Sequence, residues 1–221
     1  MFLKSITLEN IQSIGKLTLD FTDGDRVRQW TYLLGENGCG KSTVLKAIGL
    51  VMAGADAAIE LISDQDSWIR LGEDEASIEV AYQTAAGDQR AAAYRFRRGG
   101  NMRDFLYDNR ETMDRLNRAI EKSARNYFVV GYGVNRYGRS GGESGSTSRG
   151  SRRRTSSPRT SAVASLFNLD SQLVSLEDWA MDLDYRKGAG AMDAVQRALD
   201  NLLPDVTFSR IDREGRQLLF N

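Results

Sequence analysis

An α/β fold, with an antiparallel β layer at its N-terminus and a helical segment further on, is predicted by three observations. Residues 1–34 alternate apolar and polar side chains in the manner of strands. The glycine-rich segment Gly35–Ser42 follows a short apolar run and opens a helix that is apolar almost all round. Beyond it, strand-like alternation and helical spacing take turns along the chain.

Composition narrows the chemistry. The 221 residues hold no histidine and one cysteine, which excludes a Ser-His-Asp triad, an HExxH metal site, a cysteine zinc site and an internal disulfide. No run of about 18 apolar residues is present, so no membrane span is expected. No charged stub precedes an apolar core at the N-terminus, and the expected location is the cytoplasm.

The elements follow in order. Ile6 and Leu8 alternate with polar neighbours, and Leu17, Leu19 and Phe21 alternate with Lys16, Thr18 and Asp20. Thr22-Asp23-Gly24-Asp25 is turn chemistry between two strands. Trp30–Leu34 is a short apolar run of the kind found in a central buried strand, with Trp30 in the core. Ser42–Ala53 is predicted to be a buried helix carrying Val44, Leu45, Ile48, Leu50, Val51 and Met52. Ile78, Val80 and Tyr82 make a strand, Gly87-Asp88 a turn, and Tyr94 and Phe96 the return strand. Met113, Leu116 and Ile120 give an amphipathic helix over 111–124, and Tyr127–Val130 a further short buried strand.

Residues 137–161 change character. They are nearly all Gly, Ser, Thr and Arg, and read as a disordered basic loop. Seven Arg against one Glu between 136 and 160 give a local charge of +6, so the neutral chain carries −6 elsewhere. Such a strip suits a nucleic-acid backbone, a protein partner, or solvent alone. It has no interleaved aromatic residues for stacking bases. Helix returns at Ser175, a capping-box position with Asp178, and Leu176, Trp179, Ala180 and Leu183 share a face with Trp179 in the core. Met192, Val195, Leu199 and Leu202 make a second helix before Pro204, and Val206–Phe220 a hairpin turning near Glu214-Gly215. The organisation expected is a lobe over 1–136, the loop over 137–161, and a helical segment with a C-terminal hairpin of the same domain over 162–221.

Gly35-Glu36-Asn37-Gly38-Cys39-Gly40-Lys41-Ser42 fits G-x-x-x-x-G-K-[ST], the P-loop or Walker A pattern, at every fixed position. Far less than one chance match is expected in a chain of this composition. The chemistry needs glycines so that backbone N–H groups can turn inward around phosphates. Lys41 is expected to reach the β- and γ-phosphate oxygens of a nucleoside triphosphate as the catalytic cation, and the Ser42 hydroxyl to take one position on Mg²⁺. Thr43 is expected near the α-phosphate, and the helix N-terminus adds its dipole. Cys39, at a variable place in the loop, reads as a small filler residue rather than a redox group.

Three segments, MFLKSITLENIQSI from Met1, LTLDF from Leu17 and YLLGENGCGKST from Tyr32, together resemble the SMC/RecF class of ABC-type ATPases. The likeness is greatest to the prokaryotic members of DNA repair and anti-phage defence, including the overcoming-lysogenization-defect group. Trp68–Gly72, Ala76–Val80 and Phe128–Arg136 extend the resemblance, which runs to about residue 136 and weakly beyond. It implies an ABC-type ATPase head lobe in which two heads sandwich ATP, hence a homo-oligomer. It also implies action on DNA or RNA, or control of a nuclease or toxin partner.

Two departures stand out. Gln12 occupies a turn where relatives often carry a basic residue, so it can offer the nucleotide a hydrogen bond but no charge. No L-S-x-G signature and no apolar strand ending in Asp-Glu is found, so the expectation is a lobe truncated before both. A nucleotide-sensing module that binds ATP without hydrolysis is the alternative, and a small-molecule kinase fits less well because its loop would follow the first strand. Gln65 and Gln83 lie loosely where a metal- and water-sensing glutamine would, and both read better as surface residues. Arg136 is the other candidate for the nucleotide site or an interface.

Overall fold

The computed structural model describes residues 1–84, 86–122, 127–134 and 157–168, then 180, 183, 185, 186, 193, 196, 197 and 200, and finally 208–212, 215 and 217–220. Two compact units are distinguished, Met1–Asn135 with Arg149–Ser171, and Arg136–Ser148 with Gln172–Asn221.

The first unit is built on β1 (Phe2–Ile11) and β2 (Ile14–Asp20), followed by the short pair β3 (Thr22–Asp23) and β4 (Arg26–Val27). Helices α1 (Lys41–Met52) and α2 (Ala55–Leu61) come next, then β5 (Glu75–Gln83), β6 (Gln89–Arg97), α3 (Met102–Lys122) and α4 (Pro158–Val163). The main sheet has the order β2-β1-β5-β6. All its pairs are antiparallel, with Ile6 opposite Leu19 and Val80, and Ile78 opposite Tyr94.

Alternation decides which face is covered. Ile6, Leu8, Ile78, Val80, Tyr82, Tyr94 and Phe96 point inward and are buried. They share one core with Val44, Ala47, Leu50 and Val51 of α1 and Phe105, Met113, Leu116 and Ile120 of α3. Each such side chain contributes about 1.5–3 kcal/mol by leaving water. The other face carries Glu75, Ser77, Glu79, Arg95 and Arg97, half-buried or exposed. Trp68 stacks on Phe96 with ring centroids 5.5 Å apart.

The run Trp30–Leu34 departs from its expectation. It is not a strand, and Trp30, Tyr32 and Leu34 are 79%, 81% and 91% exposed. An apolar run becomes a central strand only when ladders form on both of its sides. Among the described residues none pairs with this one, so Trp30 lies in solvent rather than in the core. Residues 127–130 likewise form no strand, and Phe128 is exposed while Tyr127 donates its hydroxyl to the Met52 carbonyl. Leu45, expected in the buried helix, faces outward.

Helix α3 begins nine residues before the predicted start at 111. Asn101 Oδ1 accepts the N–H groups of Arg103 and Asp104, and Asp104 Oδ2 accepts that of Asn101, a reciprocal cap. Helix α4 starts inside the stretch read as a loop, with Ser157 as its N-cap and Pro158 in its first turn. The rest of that basic stretch, together with Arg136 and Trp179, lies outside the described residues.

In the second unit Ala180, Leu183, Tyr185, Arg186, Asp193, Gln196, Arg197 and Asp200 are helical. Strands β7 (Phe208–Asp212) and β8 (Gln217–Phe220) pair antiparallel, with Gly215 in the turn, as the hairpin expectation had it. Among the described residues no helix is long and apolar enough to cross a membrane.

Candidate functional site

The site is assembled where Gly35–Gly40 meets the first turn of α1. Gly40 caps that helix with φ 98°, a left-handed conformation suited to glycine. A Cβ on Gly40 would also stand 2.9 Å from Ile14 Cδ1, so the β1–β2 turn packs directly on the loop. Gly38, with φ 83°, supplies the other left-handed turn.

The first helical hydrogen bond is Val44 N–H to the Gly40 carbonyl, at 3.0 Å. The N–H groups of Lys41, Ser42 and Thr43 therefore have no intrahelical acceptor, and none of the described side chains takes them. Three aligned donors at the positive end of a helix dipole form an anion site. Lys41 Nζ lies over the same loop, donating to the carbonyls of Gly35 (2.7 Å) and Glu36 (2.6 Å) and approaching Cys39 Sγ at 3.7 Å. The charge and the orphan donors thus converge on one stretch of backbone. Glu36, Asn37, Gly38, Cys39 and Ser42 are exposed around it, and Thr43 is buried.

This donor set fits the phosphates of a nucleotide. Lys41 and the N–H groups of Lys41–Thr43 would hold them, and a bound Mg²⁺ would supply charge neutralisation beside the Ser42 hydroxyl. Among the described residues no group of three His, Cys, Asp or Glu side chains is placed to hold a metal by itself.

Gln12 is the predicted site residue whose place is most informative. Its Oε1 accepts the Thr43 hydroxyl at 2.7 Å, and its Nε2 donates to the Ser67 carbonyl at 3.3 Å. The Thr43 and Ser67 links join residues 31 and 55 positions away from Gln12, and no local sequence signal announces them. Gln65 is not a surface residue. It is buried, donating to the Asn101 carbonyl (2.7 Å) and accepting from the Arg97 N–H (3.1 Å), because the β6–α3 turn closes over it. Gln83 is half-buried and donates to the Gly87 carbonyl, closing the β5–β6 turn. A concavity of about 430 Å³ lies on the open face of the sheet, lined by Glu9, Glu75, Glu79, Arg95, Arg97 and Asp108, and does not include the loop.

Residues 5–171 match the family described as AAA domain (AAA_23). The Septu protein PtuA of Bacillus mycoides (strain KBAB4) is 36% identical over 81 residues, which are 36% of this chain and 11% of that protein. The DNA double-strand break repair Rad50 ATPase of Methanopyrus kandleri is 32% identical over 102 residues, which are 46% of this chain and 10% of that protein. The matched region spans about a tenth of the length of either relative. Among solved structures, the recombination mediator protein RecF with ATP aligns at 20% identity and a TM-score of 0.36, covering 45% of this chain and 25% of that one. With the P-loop sequence Gly35–Ser42 inside the matched residues, the chain belongs to the AAA domain family.

Proposed function

We propose that this chain is the ATP-binding lobe of an SMC/RecF-like ATPase, holding Mg-ATP at Gly35–Thr43. Lys41 pairs with the β- and γ-phosphates, Ser42 faces the metal, and the backbone from Gly38 to Thr43 takes the remaining phosphate oxygens. In this reading two such heads close over the nucleotide, and closure controls DNA processing or an anti-phage effector. Residues 1–136 form the nucleotide-binding lobe, and 162–221 belong to the same ATPase domain.

The observation that carries the proposal is the convergence on a single loop of one lysine and three helix-terminal N–H groups that have no acceptor among the described residues. Support for the wider role comes from the likeness to a Septu protein and to a Rad50 ATPase, which is a repair protein by name.

The test is calorimetric titration of the chain with Mg-ATP, with phosphate release followed in parallel. The expected outcome is saturable binding, weakened at least about tenfold in Lys41→Ala, since hydrogen bonds to charged groups contribute about 1.5–3 kcal/mol. Turnover beside binding supports an ATPase lobe. Tight binding with no turnover by this chain leaves the ATP-binding lobe standing, and the same result for the intact gene product moves the conclusion to a nucleotide-sensing module that holds a nuclease or toxin. No saturable binding overturns both readings.

A further inference from the structure

Gln12 is bonded at both ends of its side chain by the protein itself. A threonine hydroxyl has one proton, and Thr43 gives its proton to Gln12 Oε1 at 2.7 Å. Thr43 is 7% exposed, so its side chain is enclosed where that bond is made. The Gln12 amide also donates to the Ser67 carbonyl, and the Gln12 N–H to the Trp68 carbonyl at 2.9 Å. One residue therefore ties the first turn of the phosphate-loop helix to the turn at Asp64–Trp68.

The backbone at this point is unusual. Gln12 has φ 49° and Asn10 has φ 53°, left-handed values that strain a residue with a Cβ. The surroundings hold that conformation in place. Arg70 N–H donates to the Asn10 carbonyl, and Asn10 Nδ2 donates to Glu73 Oε2 and to the Glu75 carbonyl. A glycine would make the turn at Gln12 without strain, but it would leave Thr43 and Ser67 unlinked.

We propose that Gln12 is a positioning residue for the nucleotide loop: it fixes Thr43, and with it the N–H donors of Lys41–Thr43, by taking the Thr43 hydroxyl proton, and it does not bind the nucleotide. At Thr43 a phosphate then meets the backbone N–H and not the hydroxyl donor. The inference rests on the ATP-binding reading above and assigns the neutral Gln12 a structural role in that site.

The variant Gln12→Gly separates positioning from folding, because it removes the side chain while relieving the left-handed strain. It is expected to melt near the wild-type temperature and yet bind Mg-ATP about three- to tenfold more weakly. Thr43→Val is expected to weaken binding by a similar factor, and Thr43→Ser to restore it. The double variant Gln12→Gly/Thr43→Val is expected to bind no more weakly than either single one, the mark of one shared interaction. Additive losses would mean that Gln12 meets the nucleotide directly, and would overturn the proposal. Unchanged or tighter binding in Gln12→Gly would also overturn it. If Gln12→Gly fails to fold, the Thr43→Val and Thr43→Ser pair still decides, and equal binding by these two refutes the link. Absence of ATP binding by the wild-type chain is a different result: it removes the nucleotide reading itself, and this inference with it.

Discussion

At the scale of single residues, Gly40 does two things that no other residue can do together. It turns the chain with φ 98°, and it leaves room for Ile14. Gly40→Ala is expected to cost about 1–3 kcal/mol through left-handed strain and displacement of the buried Ile14 side chain. A lowered urea midpoint together with weaker Mg-ATP binding would agree, and unchanged values of both would not. Tyr94 makes a second case. Its hydroxyl is buried with no hydrogen-bond partner among the described residues, and burial, with Asp56 and then Tyr127 adding to it, pushes its pKa well above the ordinary value of 10.0. The folded state therefore favours the neutral phenol. That contribution is fully present below pH 10 and is lost as pH climbs above it toward the folded-state value. Alkaline titration followed at 295 nm is expected to show Tyr94 ionising only as the chain unfolds. Tyr94→Phe is expected to hold its stability to higher pH and to be neutral or stabilising at pH 7, since no hydrogen bond is lost. Ionisation of Tyr94 before unfolding would contradict this account of its surroundings.

At the scale of elements, the seam between α3 and β6 shows both how the sheet is finished and why part of it was hidden. Asn109 is buried, accepts the Arg95 N–H at 2.8 Å and donates to the Arg95 carbonyl at 2.9 Å and the Phe105 carbonyl at 2.8 Å. A side-chain amide thus stands in for a neighbouring strand at the edge of the sheet. Asn109→Leu keeps the volume but strands a buried N–H and carbonyl, at an expected cost of about 2–4 kcal/mol. Urea denaturation with an unchanged slope would read that loss, and a shift below about 0.5 kcal/mol would contradict it. The same residue explains the late predicted start of α3. Met113, Leu116 and Ile120 mark a helical face, but Asn109 sits on that buried face and reads as a polar break. The earlier signal was present in Asn101 and Asp104, the capping pair. Strands β5 and β6 were legible because strict alternation and Gly87-Asp88 are local features. The packing of α2 was not, since its buried positions Ala55, Ala57 and Ala58 are small residues that give a weak hydrophobic period.

At the scale of the molecule, what could be read from sequence was what neighbouring residues decide together. The phosphate loop belongs to this class, because glycine conformation, a lysine and a helix start lie within eight consecutive residues, Gly35–Ser42. Burial of Trp30–Leu34 belongs to the other class. It depends on which strands flank the run, and its exposure shows that apolar composition alone does not place a segment in the core. The Gln12–Thr43 link and the burial of Gln65 are likewise long-range consequences of folding. In the proposed function the N–H groups at the start of α1, with Lys41, receive the phosphates of ATP. Amide chemical shifts recorded while Mg-ATP is titrated into the isotopically labelled chain test it most directly. Saturable shifts centred on Gly38, Gly40, Lys41, Ser42 and Thr43 are expected, and their loss in Lys41→Ala. Shifts that leave these amides unmoved, or that persist unchanged in Lys41→Ala, would contradict it.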